Sequence, residues 1–166
     1  RKRKGPFADR TCHRHTCLEE ARVKICLDRG VQACHTLAGS ARKAASDITA
    51  RYTESGRTIW FEGHWGFQYY MEGKGAKAID LDTTVIMPGD IIVFPHNNVN
   101  LWFLPEDKTR ITQTVVLDAP RLVSTMTLGP GAGFYASEWG PLPYMTGRLK
   151  KETYWVMEAT GEIRFR

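Results

Sequence analysis

Cysteine is absent from residue 35 onward: Cys12, Cys17, Cys26 and Cys34 all fall near the amino end. The body of the chain therefore has neither a thiol nucleophile nor an internal disulfide. Runs of about 18 apolar residues, the length a membrane-spanning helix needs, are also missing. The basic start, Arg1 to Lys4, is not followed by the apolar core of a signal peptide. Net charge is lacking over most of the sequence. Residues 1–35 hold nine Lys or Arg against four Asp or Glu, whereas the remainder holds fourteen of each. The overall charge of +5 thus describes the amino-terminal arm. A nucleic-acid partner wants a basic stripe on the folded surface, so none is expected.

Several catalytic signatures are missing too. Gly-x-Ser-x-Gly does not occur, which removes the usual serine nucleophile elbow. The glycine-rich stretch Gly129 to Gly133 lacks the Lys-Ser/Thr of a phosphate loop and the spacing of a dinucleotide site. Internal repeats and low-complexity tracts are absent.

What remains divides into a basic, Cys-rich arm, residues 1–35, and one domain, residues 36–166. The arm brings Cys12, His13, His15 and Cys17 within six residues, with Cys26, Cys34 and His35 beyond. Thiol and imidazole are zinc ligands, but this spacing fits no common zinc module, so no metal and no cofactor is expected. Four cysteines equally allow two disulfides or four free thiols. The polybasic leader reads as a solvated tail that also has the charge to touch an anionic membrane surface.

The domain has enough apolar residues for a core, 42% over the chain. Leu37, Ala41, Ala44, Ala45, Ile48 and Tyr52 form a helical stripe, predicting a helix from about 36 to 52 whose small residues pack closely on a sheet. Residues 58–80 read as strand, turn, short helix and strand. Thr58 to Phe61 suit a strand covered on both faces. Phe67, Tyr70 and Met71 follow the helical period. Further strands are expected at 91–94, 111–117 and 122–128. Ile91 to Phe94, bounded by turns, is the clearest of them. Residues 154–157 and 162–165, joined through Thr160 and Gly161, predict a terminal hairpin. The fold class is α/β, with a small, mainly parallel central sheet, flanking helices and a C-terminal β-hairpin.

Open α/β sheets bind ligands beyond the carboxyl ends of their strands. Two loops meet that condition if strands 58–61 and 91–94 are parallel neighbours. One carries Glu62, His64 and Trp65; the other carries His96, Asn97 and Asn98. A third loop, rich in aromatic residues and broken by Pro141 and Pro143, adds Tyr135, Glu138 and Trp139. Aromatic faces beside Glu, His and Asn suit sugars, whose rings offer apolar C–H faces and hydroxyl edges. The five tryptophans, Trp60, Trp65, Trp102, Trp139 and Trp155, also suit a core. Glu62, His64 and Glu138 have the right chemistry for a small hydrolase, though no spacing rule fixes their distance.

Four segments carry a family resemblance: Trp60 to Glu72, with Gly63 to Met71 the most specific part; Pro88 to Val93 with Asn97 and Asn98; Gly133 to Ala136; and Trp139 to Pro143. In order and spacing they resemble the C-terminal soluble portion of bacterial membrane glycosyltransferases related to the dolichyl-phosphate-mannose–protein mannosyltransferases. The likeness covers about residues 37–160. It implies a soluble accessory domain on the extracytoplasmic, periplasmic face of the inner membrane. Through its parent enzyme the domain would meet a lipid-linked sugar or a glycan acceptor. The catalytic acid of such enzymes lies near their first membrane spans, so no catalytic residue carries over, and the domain is not expected to turn over substrate alone. Residues 1–35 depart from the pattern, since a span is expected there; a fragment, truncated product or fusion is implied. A free-standing carbohydrate or small-ligand binding module is the alternative.

Overall fold

The computed structural model describes residues 35–36, 38–98, 101–118, 123–124, 126–127, 131–133, 144–146 and 151–165. The arm, apart from His35, lies outside them, and so does the expected loop with Tyr135, Glu138 and Trp139. A first helix, α1, includes residues 35–36 and 38–53. Strand β1 (Ile59–Phe61), helix α2 (Trp65–Glu72) and strand β2 (Lys77–Ala78) follow. Then come β3 (Val85–Ile86), β4 (Ile91–Pro95), a 3-10 turn (Glu106–Lys108) and β5 (Thr109–Leu117). Short strands β6 (Val123–Ser124), β7 (Met126–Thr127), β8 (Ala132–Gly133) and β9 (Met145–Thr146) precede β10 (Glu152–Ala159) and β11 (Ile163–Arg164).

The class is α/β. Its central sheet has five strands in the order β2-β1-β4-β10-β5. The first three run parallel, and β10 enters antiparallel to both β4 and β5. β1, α2 and β2 make a compact β-α-β unit, with Trp60 opposite Lys77 and Phe61 opposite Ala78. The C-terminal strands stand where the hairpin was expected, on either side of a bend at 160–161. Within that unit β10 ladders with the central sheet, while β11 takes β3 as its partner, Ile163 opposite Ile86.

Alternation along the strands sorts the core into two layers. On one face Ile59, Phe61, Ile91, Val93, Tyr154 and Val156 pack against Ala44, Ala45 and Ile48 of α1 and Phe67 and Met71 of α2. The two alanines are fully buried, so α1 sits close to the sheet, as its small-residue stripe dictates. On the other face Ile86, Ile92, Met157, Ala159 and Ile163 are buried, with Trp60, Ile79, Phe94 and Leu104 packed around them.

Over 81–87 only Val85 and Ile86 are extended as a strand. The reason is local: Asp80 Oδ1 accepts the N–H groups of Asp82 and Thr83, folding Leu81 to Thr83 into a turn. Aspartate offers the backbone this alternative to a ladder. Over 122–128 the described residues form β6 and β7, which pair with β9 and β8 respectively.

The turn Pro88 to Asp90 fixes the start of β4. Gly89 takes a left-handed φ of 92°. Asp90 Oδ2 accepts from Trp60 Nε1 at 2.9 Å and from the Met87 N–H at 3.0 Å. This one carboxylate ties β1 to the turn leading into its neighbour. Asp90→Ala removes both contacts and leaves the indole N–H without its acceptor, so a loss of about 1–2 kcal/mol in urea unfolding is expected. An unchanged midpoint would mean that water replaces the carboxylate at no cost.

Candidate functional site

The parallel pairing of β1 and β4 sets Phe61 opposite Val93. Both strands therefore end on the same rim, and the loops after them meet. The Glu62 N–H extends the ladder by donating to the Val93 carbonyl at 3.1 Å. Gly63 then turns the chain with φ at 104°, a region only glycine enters readily. A Cβ there would sit 2.8 Å from Pro95 Cγ and 3.1 Å from Asn98 Nδ2. The turn is thus moulded against the end of β4. The His64 N–H donates to Asn98 Oδ1 at 3.1 Å, which joins the two loops directly. Trp65 opens α2 with φ at 57°, left-handed for a bulky residue and a point of local strain.

Beside this junction lies a cleft of about 760 Å³, within the size range of small-molecule sites. β1 and its loop supply Phe61, Glu62 and His64; α2 supplies Gln68; β2 and the following turn supply Ile79 and Leu81. Leu101, Trp102 and Phe103 close it. These three belong to neither helix nor strand. Trp102 is 57% exposed and Phe103 is 99% exposed, so the cleft has an aromatic lip in water.

Glu62 is the chemically distinctive group. Its side chain is buried at 6% exposure. Oε2 accepts the Trp102 N–H at 2.8 Å, while Oε1 is screened from solvent and has no hydrogen-bond partner among the described residues. Burial pushes the Glu62 carboxyl up to about 7, although the Trp102 N–H pulls the other way. Desolvation disfavours the charged form, and no cation compensates among the described lining residues, which include no Lys or Arg. Near neutral pH this carboxyl divides between acid and carboxylate.

A second buried carboxyl sits on the same rim, across β4. Glu152, at the start of β10, accepts from Asn97 Nδ2 at 2.8 Å. Burial raises it to about 6, with the Asn97 contact opposing. Tyr154 beside it is pushed upward by burial and by the Glu152 charge.

The nine residues singled out by sequence divide accordingly. Glu62, His64 and Asn98 come together. His96 and Asn97 share the rim but engage β10: the His96 ring meets Trp155 edge-on at 5.1 Å, and Asn97 meets Glu152. They do not line the cleft. Trp65 is 41% exposed at the start of α2 and is likewise not part of the lining. Tyr135, Glu138 and Trp139 fall outside the described residues. Sequence reasoning missed Leu101, Trp102 and Phe103 as cleft walls, and Glu152 as a rim carboxyl.

No family model, curated protein or solved structure matches the chain. Among the described residues no group of three or more His, Cys, Asp or Glu is placed to hold a metal ion, and no helix is long and apolar enough to cross a membrane.

Proposed function

We propose that the chain is a non-catalytic, carbohydrate-binding accessory domain of a polyprenyl-phosphate-sugar-dependent membrane glycosyltransferase. One observation carries the binding part: a rim cleft with mostly apolar walls, an exposed aromatic lip at Trp102 and Phe103, and a buried carboxyl oxygen without a partner among the described residues. Sugar rings stack their C–H faces on such aromatics and direct hydroxyl or amide groups to a few fixed polar atoms. The glycosyltransferase part rests on the resemblance of residues 60–72, whose Gly63 to Met71 segment builds the turn and helix beside the cleft. In that setting the domain holds the sugar end of an acceptor or donor, and the transfer chemistry lies elsewhere in the parent enzyme. A free-standing binding module uses the same cleft.

The test is saturation-transfer NMR on the 166-residue chain with a panel of neutral and acidic oligosaccharides. Binding of neutral members is expected. Trp102→Ala should weaken it at least about tenfold, because a stacked aromatic commonly dominates such contacts. Its thermal midpoint should move by less than about 2 °C, since an exposed side chain contributes little to folding. A panel with no binder would overturn the reading.

A further inference from the structure

We infer that the cleft selects a sugar bearing an acetamido group, read by Glu62; this rests on the carbohydrate-binding reading above. The walls around Glu62 are mostly apolar: Phe61, Ile79, Leu81, Leu101, Trp102 and Phe103. A group entering them must be largely apolar itself and bring one donor for the free Oε1. An acetamido group has that composition, a methyl with a single N–H. A bare hydroxyl also donates to Oε1, but it carries its neighbouring hydroxyls into a lining where, beyond Glu62, only His64 and Gln68 offer polar side chains, and unsatisfied polar groups are costly. An ammonium would shed its hydration in a lining that has no second carboxylate among the described residues, which burial penalises strongly. A phosphate or uronate finds no Lys or Arg there.

Oε1 is screened from solvent in this state. The wall formed by Leu101, Trp102 and Phe103 belongs to neither helix nor strand, and it is the wall that yields as the acetamido group enters. The pyranose ring then stacks on Trp102 while the N–H reaches Oε1. In the ligand-free state Glu62 holds the Trp102 N–H on its other oxygen.

Glucose, glucosamine and N-acetylglucosamine share one ring and differ only at one substituent, which makes them the probes. Titrations of the chain are followed by protein-observed NMR near pH 7.5, above the Glu62 pKa of about 7. N-acetylglucosamine should bind about tenfold tighter than glucose, the lower end of what one extra buried carbon decides in an apolar pocket. Glucosamine should bind no better than glucose. In Glu62→Gln the Trp102 N–H holds the amide oxygen, so the side chain presents N–H₂ where the carboxyl presented an acceptor. Two donors then face each other, and the preference should fall below about threefold while the spectrum stays folded. Equal binding of glucose and N-acetylglucosamine overturns the inference and leaves the carbohydrate reading standing. Tightest binding by glucosamine overturns it in favour of a cationic ligand. Failure of all three to bind, with other neutral glycans bound, also overturns it; failure of every glycan overturns the underlying reading.

Discussion

Replacing Gly63 by alanine should destabilise the chain by about 3 kcal/mol. Two costs combine. The backbone at φ 104° lies where side-chain-bearing residues are strained by about 1–3 kcal/mol. The new Cβ also lands 2.8 Å from Pro95 Cγ, inside contact distance, and the proline ring at the end of β4 is stiff. Relief requires the β1 and β4 loops to part, which pulls the His64 N–H from Asn98 Oδ1. Thermal unfolding should show a midpoint about 6–12 °C lower, at about 2–4 °C per kcal/mol for a chain this size. Amide exchange at His64 should accelerate by more than the global loss explains. A variant within about 0.5 kcal/mol of the parent would show that the turn relaxes without strain and that the two loops are not mutually moulded.

Glu62→Gln should stabilise the chain at pH 8 by about 2 kcal/mol and leave it little changed at pH 5. The direction follows from where the proton binds. Glu62 ionises near its model value of 4.5 when unfolded and near about 7 when folded. Between those values the folded state holds a proton that the unfolded state has released, so stability falls as pH rises. Below 4.5 both states are protonated and no cost arises; above about 7 the full cost is present. At 1.36 kcal/mol per unit the ceiling is about 3 kcal/mol, and the partly wet cleft reduces it. Glutamine removes the ionisation and keeps an oxygen for the Trp102 N–H. His64 lies in the same loop and Lys77 stands opposite Trp60 on β2, so the profile should be compared with the parent's at each pH. Glu152, raised to about 6, contributes with the same sign over a lower window and remains in both proteins. Urea unfolding from pH 5 to 8 gives the measurement. A pH profile identical to the parent's would show that Glu62 ionises freely and that its burial is relieved in solution.

The site was half legible in advance. Glu62, His64 and Asn98 converge because two short apolar strands are parallel neighbours, and parallel strands deliver their carboxyl ends to one rim. His96 and Asn97 were drawn to the opposite side of β4 by β10, which is far away in sequence. Nothing in Pro95 to Asn98 announces an antiparallel neighbour with a buried glutamate at its start. Trp102 and Phe103 escaped notice for another reason. Leu101 to Leu104 reads as core, and Leu104 does pack on the second layer. The two aromatics between stand in solvent, because the chain there has left the sheet and has no period to reveal which way each side chain faces. Glu152 lies two residues before the expected strand 154–157, and the observed β10 starts earlier, at Glu152 itself.

By itself the sequence determined the elements and much of their burial: the alanine stripe of α1, β1 and β4 as short apolar strands, the Phe67 and Met71 side of α2, and the glycine turn after Glu62. These are local consequences of side-chain period and backbone sterics, and each is settled within a few residues. Tertiary structure alone decided which strand lies beside β4, which carboxyl loses its water, and which aromatics form the lip of the cleft. Those outcomes depend on residues up to about a hundred positions apart being pressed together, and desolvation acts only after that packing has formed.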